Sequence, residues 1–134
     1  MNEQKKIIAI DIRLLGKKRT GDEMVFFYLT KEIIQSDTEN SYVLLTDETD
    51  AEKIKTLARE LECVERSNVR IVSLPAKNRF TWNFFVLPRY LFQNRIGIFH
   101  TQYILPLFSP RRTKIVVHIH DVSNLVMVIG AAVS

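Results

Sequence analysis

Five short apolar runs constrain this chain more than anything else in it: residues 6–12, 42–46, 69–74, 96–100 and 113–119. The first, with Ile7, Ile8, Ala9 and Ile10 in succession, is nearly continuous. That is the pattern of a strand covered on both faces rather than one with a wet side. Segments with helical spacing separate the first four runs. Thr20-Gly21-Asp22-Glu23 fits a capping box, with Thr20 as N-cap and Glu23 three residues on. It predicts a helix to about Gln35, carrying Met24, Phe27, Tyr28 and Ile34. Ser36 to Asn40 reads as a turn. A second helix starts around Asp47 to Asp50, with Ile54, Leu57, Ala58 and Leu61 at i, i+3, i+4, i+7 spacing. Phe80 to Gln93 is apolar and aromatic and reads as a third helix, with a kink or restart at Pro88. Pro75 ends the third strand, and Pro106 and Pro110 bracket a loop. The order β-α-β-α-β-α-β-β predicts an α/β, Rossmann-like fold: a mostly parallel sheet with helices on both faces, in three α/β/α layers.

Composition bounds the setting. The chain has 134 residues, one domain's worth, and its 46% apolar content supplies a core. Cys63 is the single cysteine, so no intrachain disulfide can form and a reducing, cytoplasmic setting is expected. The apolar run Ile7 to Ile10 is too short for a signal peptide. No stretch approaches the roughly 20 apolar residues of a membrane-spanning helix. The net charge of +4 hides an asymmetry: residues 1–65 carry −4 and residues 66–134 carry +8, with Asp121 the one acid after Glu65. Either this half is an ordinary solvated surface, or it faces an anionic lipid surface, a phosphorylated substrate or nucleic acid. Nucleic acid ranks last and is not expected as a partner, because the bases are dispersed and no docking motif accompanies them.

Four segments carry candidate chemistry. The loop from Arg13 to Glu23 lies at the carboxyl end of the first strand, where ligands of open α/β sheets bind. It has no G-x-G-x-x-G dinucleotide fingerprint. Gly21 admits close backbone approach, while Asp22 and Glu23 would repel a phosphate and suit sugar hydroxyls. Plain helix capping is the alternative. The segment Phe99-His100-Thr101-Gln102-Tyr103 puts His100 at a strand's carboxyl end, as a ligand contact or as a structural histidine. In His118-Ile119-His120-Asp121, Asp121 could orient His120 for acid/base work or cap the next segment of chain. His118 and His120 share a strand face but lack further ligands, so no metal site is expected. The aromatic stretch from Phe80 to Tyr90 is apolar nearly all round. It is either a deeply buried helix or one partly turned to a membrane or partner, and Arg79, Arg89 and Arg95 favour an anionic lipid surface.

Taken together, "IIAIDIRLL", "GKKRTGDE", "YVLLTD", Trp82 with "LPRYL", "GIFHTQYILPL" and "KIVVHIHDVSNL" resemble a family. The chain from about residue 6 to about residue 125 resembles the N-terminal domain of retaining, group 1 (family 4) glycosyltransferases of the GT-B fold. That resemblance implies an acceptor-side domain of a hexosyl-type transferase, with His120 contacting the transferred sugar. Thr20, Gly21, Asp22, Glu23, His100, Tyr103 and Asp121 would bind substrate. The family's T-G-x-G loop is matched at Thr20-Gly21, with Glu23 in place of the second glycine. It implies no cofactor, a nucleotide-sugar donor for the full enzyme only, an acceptor sugar or glycolipid, and no required metal. The pattern departs at Leu125 to Val133, an apolar tail where the family continues into a donor domain.

The expectation is therefore a truncated glycosyltransferase, inactive alone, cytoplasmic or peripheral at the inner membrane face, and prone to homo-oligomerise through exposed apolar surface. The alternative is a non-catalytic Rossmann-like binding module acting at an anionic membrane or on a partner protein. A His-dependent hydrolase is disfavoured, since no G-x-S-x-G motif occurs.

Overall fold

The structure is a computed structural model; it describes residues 6–13, 15, 21–102, 113–118 and 126–129, the last four and residues 21–23, 102, 117 and 118 by backbone alone. Six strands form one sheet: β1 (Ile7–Asp11), β2 (Ser41–Thr46), β3 (Val69–Ser73), β4 (Ile98–Gln102), β5 (Lys114–His118) and β6 (Val126–Ile129). Their order is β3-β2-β1-β4-β5-β6. The first five are mutually parallel, and β6 runs antiparallel along β5, pairing Val126 with His118 and Ile129 with Ile115. The five predicted runs are thus the parallel strands. Four residues of the apolar tail supply the edge strand.

Strand alternation divides the side chains between two cores. On the first face, Ile8, Ile10, Tyr42, Leu44 and Val69 meet α1 (Gly21–Ser36) and α2 (Ala51–Glu60) through Phe26, Phe27, Ile34, Leu57 and Leu61. On the second face, Ala9, Val43, Leu45, Phe99 and Ile115 meet Trp82, Leu87 and Leu91 of a helical stretch covering 79–93. Full burial of one such large side chain contributes roughly 1.5–3 kcal/mol. Two helices on one face and one on the other give the three-layer α/β/α arrangement expected for right-handed crossovers.

The helical stretch has three parts: α3 (Arg79–Thr81), a π-helical turn (Trp82–Val86) and α4 (Leu87–Gln93). Asn78 caps it, its Oδ1 accepting from Thr81 N at 2.8 Å. Pro88 sits in the first turn of α4, where a missing N–H costs nothing. Just before it, Leu87 N–H reaches back five residues to Trp82 O. The interruption predicted at Pro88 thus takes the form of a π-turn ahead of the proline, with helical backbone throughout.

α2 begins at Asp50, whose carboxylate accepts from Glu52 N at 2.9 Å. It ends with Glu62 at φ 55°, a left-handed position usually given to glycine. Cys63 N and Glu62 N close that turn onto Ala58 O and Arg59 O. Gln35 from α1 donates to Leu61 O and Glu62 O, tying the two helices together.

Candidate functional site

The chain leaves β1 toward β2 and β3, then crosses back to β4 on the other side. The point where the direction reverses lies between the carboxyl ends of β1 and β4. In an open parallel sheet that crevice is the ligand position.

β1 ends in a small, tightly bound cluster. Asp11 follows Ile7 and Ala9 on the second face and is buried, at 7% exposure. Its carboxylate takes Arg13 in a two-pronged pair: Nε at 3.2 Å to Oδ1 and Nη2 at 3.1 Å to Oδ2. Arg13 N also donates to Asp11 Oδ1 at 3.1 Å, which turns the chain sharply as it leaves the strand. The guanidinium lies 4.4 Å from the centre of the Trp82 ring, so a cation caps a wholly buried indole. Trp82 Nε1 is buried and has no hydrogen-bond partner among the described residues. Neither does Arg13 Nη1. The pairing sets the two charges against each other at the crevice, above the buried indole. The described part of this surface, a guanidinium already paired with a carboxylate, can donate to hydroxyl or carbonyl oxygens.

β4 contributes His100 and Thr101. His100 is opposite Ile10 in register, half-buried, on the face that α1 covers. Thr101 is buried on the second face, beside Phe99. Both make interactions within the fold. Gly21 begins α1. The structure thus brings two of the predicted positions, His100 and Gly21, to one side of the crevice and puts Asp11 and Arg13 on the other. Asp22 and Glu23 lie in the first turn of α1. Thr20, Tyr103, His120 and Asp121 lie outside the described residues, as does the capping-box contact.

Asp11 was not singled out from the sequence; Arg13 and Trp82 entered only as members of the Arg13–Glu23 loop and of the aromatic stretch, not as parts of one cluster. A signal for the first two was present: an acid at the end of a strand with a base two positions on, within reach of a local side-chain-to-backbone turn and ion pair. Trp82 gave none, since a buried tryptophan in an aromatic segment reads as core.

A more open groove of about 460 Å³ lies elsewhere, between α2 and the edge strand β3. Ile54, Ala58, Val64 and Ile71 wall it, with Lys55, Arg59 and Arg70 beside them. It holds no converging set of acid/base groups, so chemistry is better sought at the crevice. Among the described residues no three His, Cys, Asp or Glu side chains are grouped to hold a metal ion. Nor is any helix long and apolar enough to cross a membrane. No known protein family, curated protein or solved structure matches this chain.

Proposed function

We propose that this chain carries the acceptor-side domain of a retaining glycosyltransferase and that sugar hydroxyls bind at the carboxyl ends of β1 and β4. The observation that carries this reading is the reversal of strand order between those two strands, with the Asp11–Arg13 pair and His100 standing on either side of it. The sequence resemblance supplies the reaction class; the paired Arg13 guanidinium supports the reading, since it can donate to a polar, uncharged ligand. In this reading Arg13 Nη1 donates to an acceptor hydroxyl, Asp11 holds the guanidinium in place, and His120 contacts the transferred sugar.

The test is ligand-observed and amide-detected NMR with a panel of glycosides, nucleotide-sugars and a soluble glycolipid headgroup. Saturation transfer to a glycoside is expected, with amide shifts gathered at Asp11 to Arg13 and His100 to Gln102. Arg13→Gln should weaken that binding about tenfold, the loss expected for one charge-assisted hydrogen bond. Absence of glycoside binding at millimolar concentration, or shifts confined to the α2–β3 groove, would overturn the reading.

A further inference from the structure

The 79–93 helical stretch buries one side and exposes large aromatic side chains on the other. Trp82, Leu87 and Leu91 are fully buried against the sheet. Phe80, Phe85 and Phe92 are 60%, 65% and 53% exposed. This is not what a deeply buried helix would show. Large aromatic side chains concentrated on one outward strip are unusual on a soluble surface.

The π-turn builds the strip. In a regular helix, residues five apart point roughly 140° away from each other. The extra residue in the turn from Trp82 to Val86 brings Phe85 back toward the side of Phe80. Phe84 bridges them: it stacks on Phe80 with centroids 4.0 Å apart and lies 6.5 Å from Phe85.

The charged residues of this stretch of sequence, from Arg79 to Arg95, are all of one sign. Arg79, Arg89 and Arg95 are exposed and make no ion pair among the described residues. No aspartate or glutamate occurs in the sequence between Glu65 and Asp121. A protein partner could match the rings. The combination of insertable rings with exposed arginines that make no ion pair among the described residues, in a stretch of sequence without acids, matches the phosphate and glycerol layer of an anionic bilayer. We infer that the outer face of the 79–93 helix docks on anionic phospholipid, the phenylalanine rings entering the boundary between headgroups and acyl chains while the arginines hold lipid phosphates. This inference does not rest on sugar transfer, because it needs no glycolipid in the bilayer.

The experiment is co-sedimentation of the 134-residue chain with sugar-free vesicles. One set is phosphatidylcholine alone; the other contains about one-third phosphatidylglycerol. Binding is expected only to the anionic set and should fall steeply in about 0.5 M salt, where charges are screened within a few ångström. Replacing Arg79, Arg89 and Arg95 together by Gln should weaken partitioning about 100-fold, at roughly fivefold per cation. Phe80→Ser with Phe85→Ser should cost about tenfold. If that variant fails to fold by circular dichroism, Phe85→Trp serves instead. Its added indole should be quenched by acyl-brominated lipid, whereas buried Trp82 in the parent chain should not be. Equal binding to both vesicle sets, no binding to either, or an unquenched Trp at position 85 overturns the inference. So does a concentration-dependent dimer that the Phe→Ser pair abolishes in place of vesicle binding, since the occupant is then a second copy.

Discussion

The amino ends of β2 and β3 and the carboxyl end of β1 hold their polar groups differently. At the amino end the turns after α1 and α2 are tied to each other. Asp37 accepts from Glu39 N, Asn40 N, Asn40 Nδ2 and the Tyr42 hydroxyl, the last at 2.7 Å. Asn68 Nδ2 donates to Asp37 O and Asn40 O, and Arg66 reaches Asp37 O, Asn68 Oδ1 and Gln35 Oε1. Thr113 Oγ1 donates to Ile96 O at 2.7 Å on the far side. The Asn40 and Tyr42 bonds hold the Asp37 carboxyl well below the usual carboxylate range. Burial, together with the Asp37 charge, pushes the Tyr42 hydroxyl up. At the carboxyl end, Asp11 and Arg13 satisfy mostly each other, and the indole beneath keeps an unpartnered N–H. The carboxyl ends of β2 and β3 are tied as well, with Ser73 Oγ donating to Glu48 O and Thr46 Oγ1 accepting from Glu48 N. The difference among the described residues lies at the end of β1, where an ion pair is set against a buried indole and not into a network between turns.

This contrast can be broken at its strongest point first. Trp82→Ala empties the second core under Arg13 and should cost about 4 kcal/mol in urea melts. Asp11→Ala leaves a nearly buried guanidinium without its carboxylate. It should cost about 3 kcal/mol, and Arg13→Met with Asp11→Leu should recover much of that in a double-mutant cycle.

The amino end should give smaller losses with a pH signature. Asp37→Asn should cost about 1 kcal/mol at neutral pH, a modest figure because the site is open to water. Asp37 is more acidic folded than unfolded, so its contribution is complete above the unfolded value of about 4 and is lost as pH falls below it. The difference between parent and Asp37→Asn should therefore shrink in acid melts. Tyr42→Phe should cost about 1 kcal/mol or less. Tyr42 has the opposite sign: its contribution is complete below about pH 10 and is lost as pH rises further. The parent should lose stability in alkali that Tyr42→Phe does not lose. If Asp11→Ala proves as mild as Tyr42→Phe, the two ends are not built differently.

The fold was legible in the sequence because doubly covered strands such as Ile7 to Asp11 must be apolar without a break, and nothing else in a short chain looks like that. α2 was legible for the same kind of reason, through Ile54, Leu57, Ala58 and Leu61. The π-turn was not, since Pro88 announces an interruption but not which hydrogen bonds shift to make room. The antiparallel sense of β6 was hidden because Val126 to Ile129 carries no direction in its composition. At the crevice, His100 was legible from its place at a strand end. Asp11 was concealed inside an apolar run, and its meaning depends on Arg13 and Trp82, one of them 71 positions away in sequence.

Cys63 closes the left-handed turn after α2, is 5% exposed, and places its thiol 3.7 Å from Ala58 O. Burial raises its pKa, so little of the reactive thiolate is present at neutral pH. As the chain's one thiol, it acts as a clock for its own neighbourhood. It also lines the groove between α2 and β3, so a disulfide reagent in excess should label it slowly, and faster as that joint opens. The same burial disfavours oxidative cross-linking of two folded copies through this thiol.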